Sequence, residues 1–247
     1  MSLTQVKEID IVKKQYVFKL KAYYGIYSTL ILIQLVAVLF SFLGGTSSFG
    51  GGNGNLNIEG ISYSGNFVIM LTLIWAFTSA IILTTRAYRY DDFSFITNRL
   101  TSHLSNILFI LTICFLGGFF AILSGFLIKD FIYLKSHFHF IENDRYLEFP
   151  GVFSASIIGT SLYNMLFCAA GYLTGTLVQL HKIFIILIPG VFFGLTFLSP
   201  RGVLFIKLVE PFYNESSLWL FALKVMITSA IVFAICIGIS NRMEVRR

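Results

Sequence analysis

The chain has 247 residues, is 56% hydrophobic and only 12% charged, about half the charge of a typical soluble domain, and has a mean hydropathy of +0.81. This composition excludes a soluble enzyme, a disordered chain and a nucleic-acid-binding domain, and reads as an integral membrane protein. The net charge of +6 is explained by its distribution along the chain rather than by a nucleic-acid partner.

Residues 1–21 precede the first apolar run. Within them Ile9, Val12, Tyr16 and Leu20 recur at helical spacing, and Lys7, Lys14 and Lys21 recur every seven residues. The pattern predicts an amphipathic helix on the cytoplasmic surface, its lysines toward anionic headgroups; a solvated charged tail is the plainer alternative. About 20 apolar residues cross a ~30 Å hydrocarbon core as a helix. Six runs qualify: 22–42, 66–85, 105–128, 152–180, 182–198 and 218–240. The first is too long for a cleavable signal and is expected to stay as an anchor. Period-two alternation, the mark of a β-barrel, is absent. The expected fold is therefore an all-α membrane protein: residues 22–247 form one six-helix domain behind the interfacial helix.

The connections follow in order. Residues 44–65 (GGTSSFGGGNGNLN at their start) read as a flexible external loop. Residues 86–106 (RAYRYDDFSFITNRLTSHLSN) mix three Arg and an Asp pair with Tyr88, Tyr90, Phe93 and Phe95, more like a docking element than a plain turn; an aromatic belt at headgroup level is the alternative. Residues 129–150 form an external segment. Residues 196–217 hold an apolar piece between Pro200 and Pro211, too short to span and suited to a re-entrant or interfacial external helix. Gly171 and Gly175 form a GxxxG in the fourth run, and Gly190 and Gly194 another in the fifth. Such spacing lets helix backbones approach closely, within the chain or between subunits. Pro189 should kink the fifth run.

Cation placement sets the orientation. Lys7, Lys13, Lys14, Lys19, Lys21, Arg86, Arg89, Arg99, Lys182, Arg242, Arg246 and Arg247 fall on one side, twelve in all. Lys129, Lys135, Arg145, Arg201 and Lys207 fall on the other. Both termini are expected in the cytoplasm of a multi-pass cell-membrane protein. The Ile/Phe/Asn-rich text points to a bacterial source.

Site chemistry is sparse. No carboxylate falls at the middle of a run, which disfavours a proton-coupled carrier. Cys114, Cys168 and Cys236 all lie in apolar runs and read as buried or lipid-facing thiols, not a disulfide framework. His137 and His139 beside Glu142 and Asp144 are a weak metal signal. Nucleophile-elbow, zinc-protease and phosphate-loop motifs are missing, so no enzyme activity, metal or cofactor of its own is expected. Lys224 is the ionisable group well inside a run; it either snorkels to the interface or offers a cation to an anionic or amphipathic cargo.

The interfacial helix, the aromatic connector after the second run and the interrupted segment before the last together resemble the membrane subunit of ABC-2-type exporters. The stretch 90–125 (YDDFSFITNRLTSHLSNILFILTICFLGGFFAILSG) also looks like small permeases of that group. The resemblance implies a permease that moves an apolar or amphipathic substrate (drug, lipid or peptide) out of the cell. It implies partners: an ABC ATPase that binds ATP and Mg, a second permease subunit (the same or a sister chain) and membrane lipid. It also implies roles. Lys13, Tyr16, Arg89, Asp91, Asp92, Phe93, Phe95 and Arg99 would couple to the ATPase. Trp75, Thr78, Ser79, Ser161, Asn164 and Lys224 would line the pathway. Two other readings share the topology: a scaffold or assembly protein without transport, and the substrate-binding membrane subunit of a nutrient importer.

Overall fold

The structure is a computed structural model of the chain; it describes residues 8–44, 46–53, 56–63, 65–93, 98–135, 150–197, 203–215 and 217–242. Among these, the helices in chain order are α1 (Glu8–Ala22), α2 (Tyr24–Gly44), α3 (Asn66–Thr84), α4 (Arg86–Phe93), α5 (Arg99–Lys135), α6 (Pro150–Leu180), α7 (Phe184–Phe197), α8 (Val203–Tyr213) and α9 (Leu218–Arg242). Five of them, α2, α3, α5, α6 and α9, are long and apolar enough to cross a membrane. The protein is thus a multi-pass, helical membrane protein.

Two expectations change. The fifth predicted run is the 14-residue α7, about 21 Å long at 1.5 Å per residue, short of a ~30 Å core; the six-span count therefore rests on five long helices and a short one. Within the loop expected to be flexible, β1 (Thr46–Asn53) and β2 (Leu56–Tyr63) form an antiparallel hairpin, with Thr46 opposite Tyr63 and Asn53 opposite Leu56. Its composition hid it. The first strand is Gly/Ser-rich, but Ile58, Ile61 and Tyr63 on the second carry strand preference.

The bundle is organised around α3, α5 and α6. Gly171 lies against the Phe77 and Ala80 turn of α3, and Gly175 against Thr84 and Ile81. Residue numbers rise together on both helices, so α3 and α6 run parallel. A β-carbon at Gly171 would collide with the Phe77 carbonyl oxygen, and one at Gly175 with Thr84 Oγ1. The first GxxxG is therefore an internal seam. Helix α5 runs antiparallel to both, with Asn106 beside Tyr172 and Cys114 beside Asn164.

Helix α9 packs on α6 in the same direction: Tyr163 meets Phe221 with ring centroids 4.7 Å apart, and Tyr172 meets Phe233 at 5.7 Å. The bundle thus has a proximal end, with Tyr24, Thr84, Arg99, Leu180 and Arg242, and a distal end, with Gly44, Asn66 and Leu218. Since α6 finishes proximally and α9 starts distally, α7 and α8 carry the chain from one end toward the other. Helix α1 breaks from α2 at Tyr23 and lies along α5: Lys19 reaches Ser105, and Tyr16 reaches Thr112, further along.

Candidate functional site

The proximal end holds the densest buried polar chemistry. The face that α1 turns to α5 includes Val12, Gln15 and Lys19, all buried. Its opposite side leaves Lys13, Lys14, Val17, Phe18 and Lys21 exposed. Lys19 is 0% exposed, and its Nζ donates to Ser105 Oγ at 2.7 Å and to Asn106 Oδ1. An ammonium only donates, so Asn106 must offer it the oxygen. That fixes the amide, and Asn106 Nδ2 donates to the Tyr172 hydroxyl at 3.2 Å. The hydroxyl lies 2.7 Å from His103 Nδ1, the two rings meeting edge to face at 5.9 Å. One hydrogen-bonded chain thus joins α1, α5 and α6.

Beside it, Tyr23 at the α1–α2 joint is buried between Tyr88 of α4 and Phe109 of α5, with ring centroids 4.5 Å and 5.6 Å away. Edge-to-face pairs of this kind add to simple burial. They place α4 against the joint. Tyr16 shares a hydrogen bond of 2.8 Å with Thr112 Oγ1. Gln15 is 0% exposed, and neither of its amide atoms has a hydrogen-bond partner among the described residues.

A second polar cluster sits near the middle of the bundle, where Gly117 of α5 lets three helices close up. A β-carbon there would lie 3.0 Å from Asn164 Nδ2 and 3.2 Å from Trp75 Cζ3. Asn164 Nδ2 donates to the Cys114 carbonyl at 3.3 Å, Trp75 Nε1 to Thr29 Oγ1 at 3.1 Å, and Gln34 Nε2 to Thr72 Oγ1 at 2.8 Å. Ser161 adjoins Gly118 and donates to the Ile157 carbonyl at 2.7 Å. Trp75, Ser161 and Asn164, expected along a pathway, are therefore gathered in one place, but as packing partners of a glycine pair. Ser79 is buried on α3. Thr78 is exposed and bonds the Ile74 and Trp75 carbonyls of its own helix.

Lys224 is apart from this cluster, at the distal end. It pairs with Glu215, which follows α8, and approaches the Pro211 carbonyl at 3.4 Å. Tyr163 donates to the neighbouring Phe212 carbonyl at 3.0 Å. Two side chains thus hold the carbonyl end of α8, where a cation is favoured.

The residues expected to couple to an ATPase separate. Lys13 and Asp91 are exposed. Tyr16 turns inward to α5. Arg99 Nη1 donates to the Ser240 carbonyl at 2.6 Å, binding the start of α5 to the last turns of α9. Arg89, Asp92 and Phe93 lie on α4, their side chains outside the described residues, as is Phe95. His137 and His139 also lie outside them; among the described residues no group of three His, Cys, Asp or Glu could hold a metal. The three cysteines are buried thiols.

Lys19, Asn106, Tyr172 and His103 were not singled out by sequence reasoning. The available signal was the pairing of Gln15 and Lys19 one turn apart on the face carrying Val12. Comparison with family models, with curated proteins and with solved structures finds no match to this chain.

Proposed function

We propose that this chain is the membrane permease subunit of an ATP-driven exporter, energised by a separate ATPase and working beside a second permease subunit. The observation that carries the reading is α4. It is an eight-residue helix of sequence RAYRYDDF between the second and third long helices, at the same end of the bundle as the α1–α2 joint. Through Tyr88 it touches Tyr23, and Tyr23 touches Phe109, so a push on α4 has a packed route into α2 and α5. Coupling a soluble motor to a membrane helix needs such a protrusion, with charges for orientation and aromatics as anchors.

Six crossings fit this reading. Parallel α6 and α9 need a return path, and α7 with α8 supplies it, the mismatch of the short α7 being met by thinning or by a partner. The termini are then cytoplasmic in the cell membrane, in accord with the lysine and arginine bias. The cargo is apolar or amphipathic, and its route lies between subunits, because the centre of one chain is filled around Gly117. That same filling favours a second reading, a scaffold without cargo.

The test is purification of the tagged chain in mild detergent with identification of bound proteins. A stoichiometric ATPase, released when α4 is replaced by a Gly/Ser linker, is expected. Folded chain recovered repeatedly without an ATPase overturns the exporter and leaves the scaffold.

A further inference from the structure

Near the middle of the bundle two buried amides are only half used, and what they touch fixes which way each is turned. Thr72 Oγ1 lies 2.7 Å from the Val68 carbonyl oxygen. A carbonyl only accepts, so the Thr72 proton goes there, and the hydroxyl receives a hydrogen from Gln34 Nε2 at 2.8 Å. Asn164 faces the Cys114 carbonyl oxygen at 3.3 Å, so the same rule sets its nitrogen on that side. Both amide oxygens therefore point elsewhere. Gln34 Oε1 and Asn164 Oδ1 are buried and have no hydrogen-bond partner among the described residues; the two residues are 7% and 0% exposed.

The two side chains meet around one glycine. A β-carbon at Gly117 would lie 3.0 Å from Asn164 Nδ2 and 3.5 Å from Thr72 Cγ2, and Gln34 is bonded to the hydroxyl of that same threonine. Helices α2, α3, α5 and α6 thus converge on a joint with two acceptors left over. At this depth lipid offers no donor, and buried polar groups in native proteins are paired with protein or with ordered water. The chemistry of the pair selects the ligand. A hard metal cation asks for about six oxygens, and the unbroken helices here keep their carbonyls in their own ladders. Both orphan groups accept, so the ligand must donate, and water is the smallest molecule with a proton for each.

We propose that the joint around Gly117 is an ordered-water site: water donates to Gln34 Oε1 and to Asn164 Oδ1 and ties α2 to α6 in the interior of the bundle. Trp75 and Asn164, expected along a cargo pathway, then border bound solvent. The water is part of what fills the centre of the single chain, and the inference stands whether or not the chain carries cargo.

The experiment exposes the full chain in lipid nanodiscs to a brief X-ray pulse, which makes hydroxyl radicals from water, bound water included, and reads oxidised side chains by mass spectrometry. Trp75, Cys114 and Cys236 are 4%, 2% and 0% exposed, so bulk solvent touches none of them appreciably. Cys114 adjoins the joint, whereas Cys236 lies on α9. Cys114 is expected to oxidise several-fold faster than Cys236, and Trp75 to be oxidised along with it. In the double variant Gln34→Leu with Asn164→Leu, which has neither oxygen, the rates at Trp75 and Cys114 should fall several-fold. Equal rates at Cys114 and Cys236 in the unsubstituted chain overturn the proposal. So do rates at Trp75 and Cys114 that are unchanged in the double variant, the mark of mobile solvent rather than a built site. If the double variant does not fold, the comparison of the two thiols in the unsubstituted chain decides the matter by itself.

Discussion

Helices α6 and α7 are neighbours in the chain and carry the same small-residue motif, yet they stand in opposite surroundings. Gly171 and Gly175 of α6 lie so close to α3 that a methyl group at either would meet the Phe77 carbonyl or the Thr84 side chain. Around Gly190 of α7 there is nothing within 4 Å of where a β-carbon would sit, and Ile186, Val191, Phe192 and Phe193 are exposed. The difference teaches that GxxxG licenses a close approach without choosing the partner. In α6 the licence is used within the chain. In α7 the face is open to lipid or to a second subunit.

The largest effect is expected where that difference is greatest. Gly171→Ala drives a β-carbon into a backbone carbonyl, which cannot move aside as a flexible side chain could, so α3 and α6 must separate. Overpacking of a close seam costs about 1–3 kcal/mol and sometimes more. We expect a fall of several degrees in the thermal midpoint in detergent, with Gly175→Ala milder because Thr84 can rotate. An unchanged midpoint in Gly171→Ala would remove the seam from the comparison.

Next comes Lys19→Met. Its amino group is buried and satisfies Ser105 and Asn106. Truncation leaves the Asn106 oxygen without its donor, at about 1–3 kcal/mol for an unsatisfied buried polar group, while Ser105 keeps its hydrogen bond to the Ser102 carbonyl. The expected readout is early protease cleavage within α1 at a temperature where α2 to α9 remain folded. Cleavage no faster than in the parent chain would show α1 to be held by its apolar contacts instead.

The legibility of the molecule follows the same division. Long apolar runs announced α2, α3, α5, α6 and α9 to within a few residues at most ends, because a lipid-facing helix needs apolar residues all round. The start of α5 was placed six residues late: Arg99 to Leu104 is polar enough to look like connector, and it is helical because Arg99 binds α9 and His103 binds α6. The hairpin escaped because its first strand is Gly/Ser-rich and the apolar residues of its second change phase, with Leu56 and Ile58 at even positions and Ile61 and Tyr63 at odd ones. The face of α1 was read as apolar through Val12, Tyr16 and Leu20, but Gln15 and Lys19 lie within it. Their burial depends on polar partners 86 to 87 residues away on α5, a pairing that no local periodicity reveals. Trp75, Ser161 and Asn164 were chosen as polar residues in apolar runs, which finds buried hydrogen-bonding groups without telling a pathway from a packing core.

A smaller effect is expected at the distal clasp. Lys224 and Glu215 have side chains 40% and 20% exposed, so solvent screens the pair, and partly exposed ion pairs contribute about 0–1 kcal/mol. Lys224→Met should therefore leave global stability almost unchanged. It should still raise the labelling rate of a cysteine placed at Phe212, which packs partly buried against the core, since the Tyr163 hydrogen bond would be the side-chain tether left at the carbonyl end of α8 among the described residues. Exchanging the charges, Lys224→Glu with Glu215→Lys, should restore the slow rate. No gain in labelling with Lys224→Met would show that α8 is held by its apolar contacts.

The smallest effect should come from Gly190→Ala, the counterpart of the first substitution. The added methyl meets open space, and alanine is the better helix former by up to about 1 kcal/mol in water. The midpoint of the isolated chain should stay level or rise slightly. If a second subunit covers this face, the same methyl would weaken that association while leaving the single chain intact, so a loss would grow on dilution. A concentration-independent fall as large as that of Gly171→Ala would mean that α7 is packed inside its own bundle, and the two motifs would then be doing the same job.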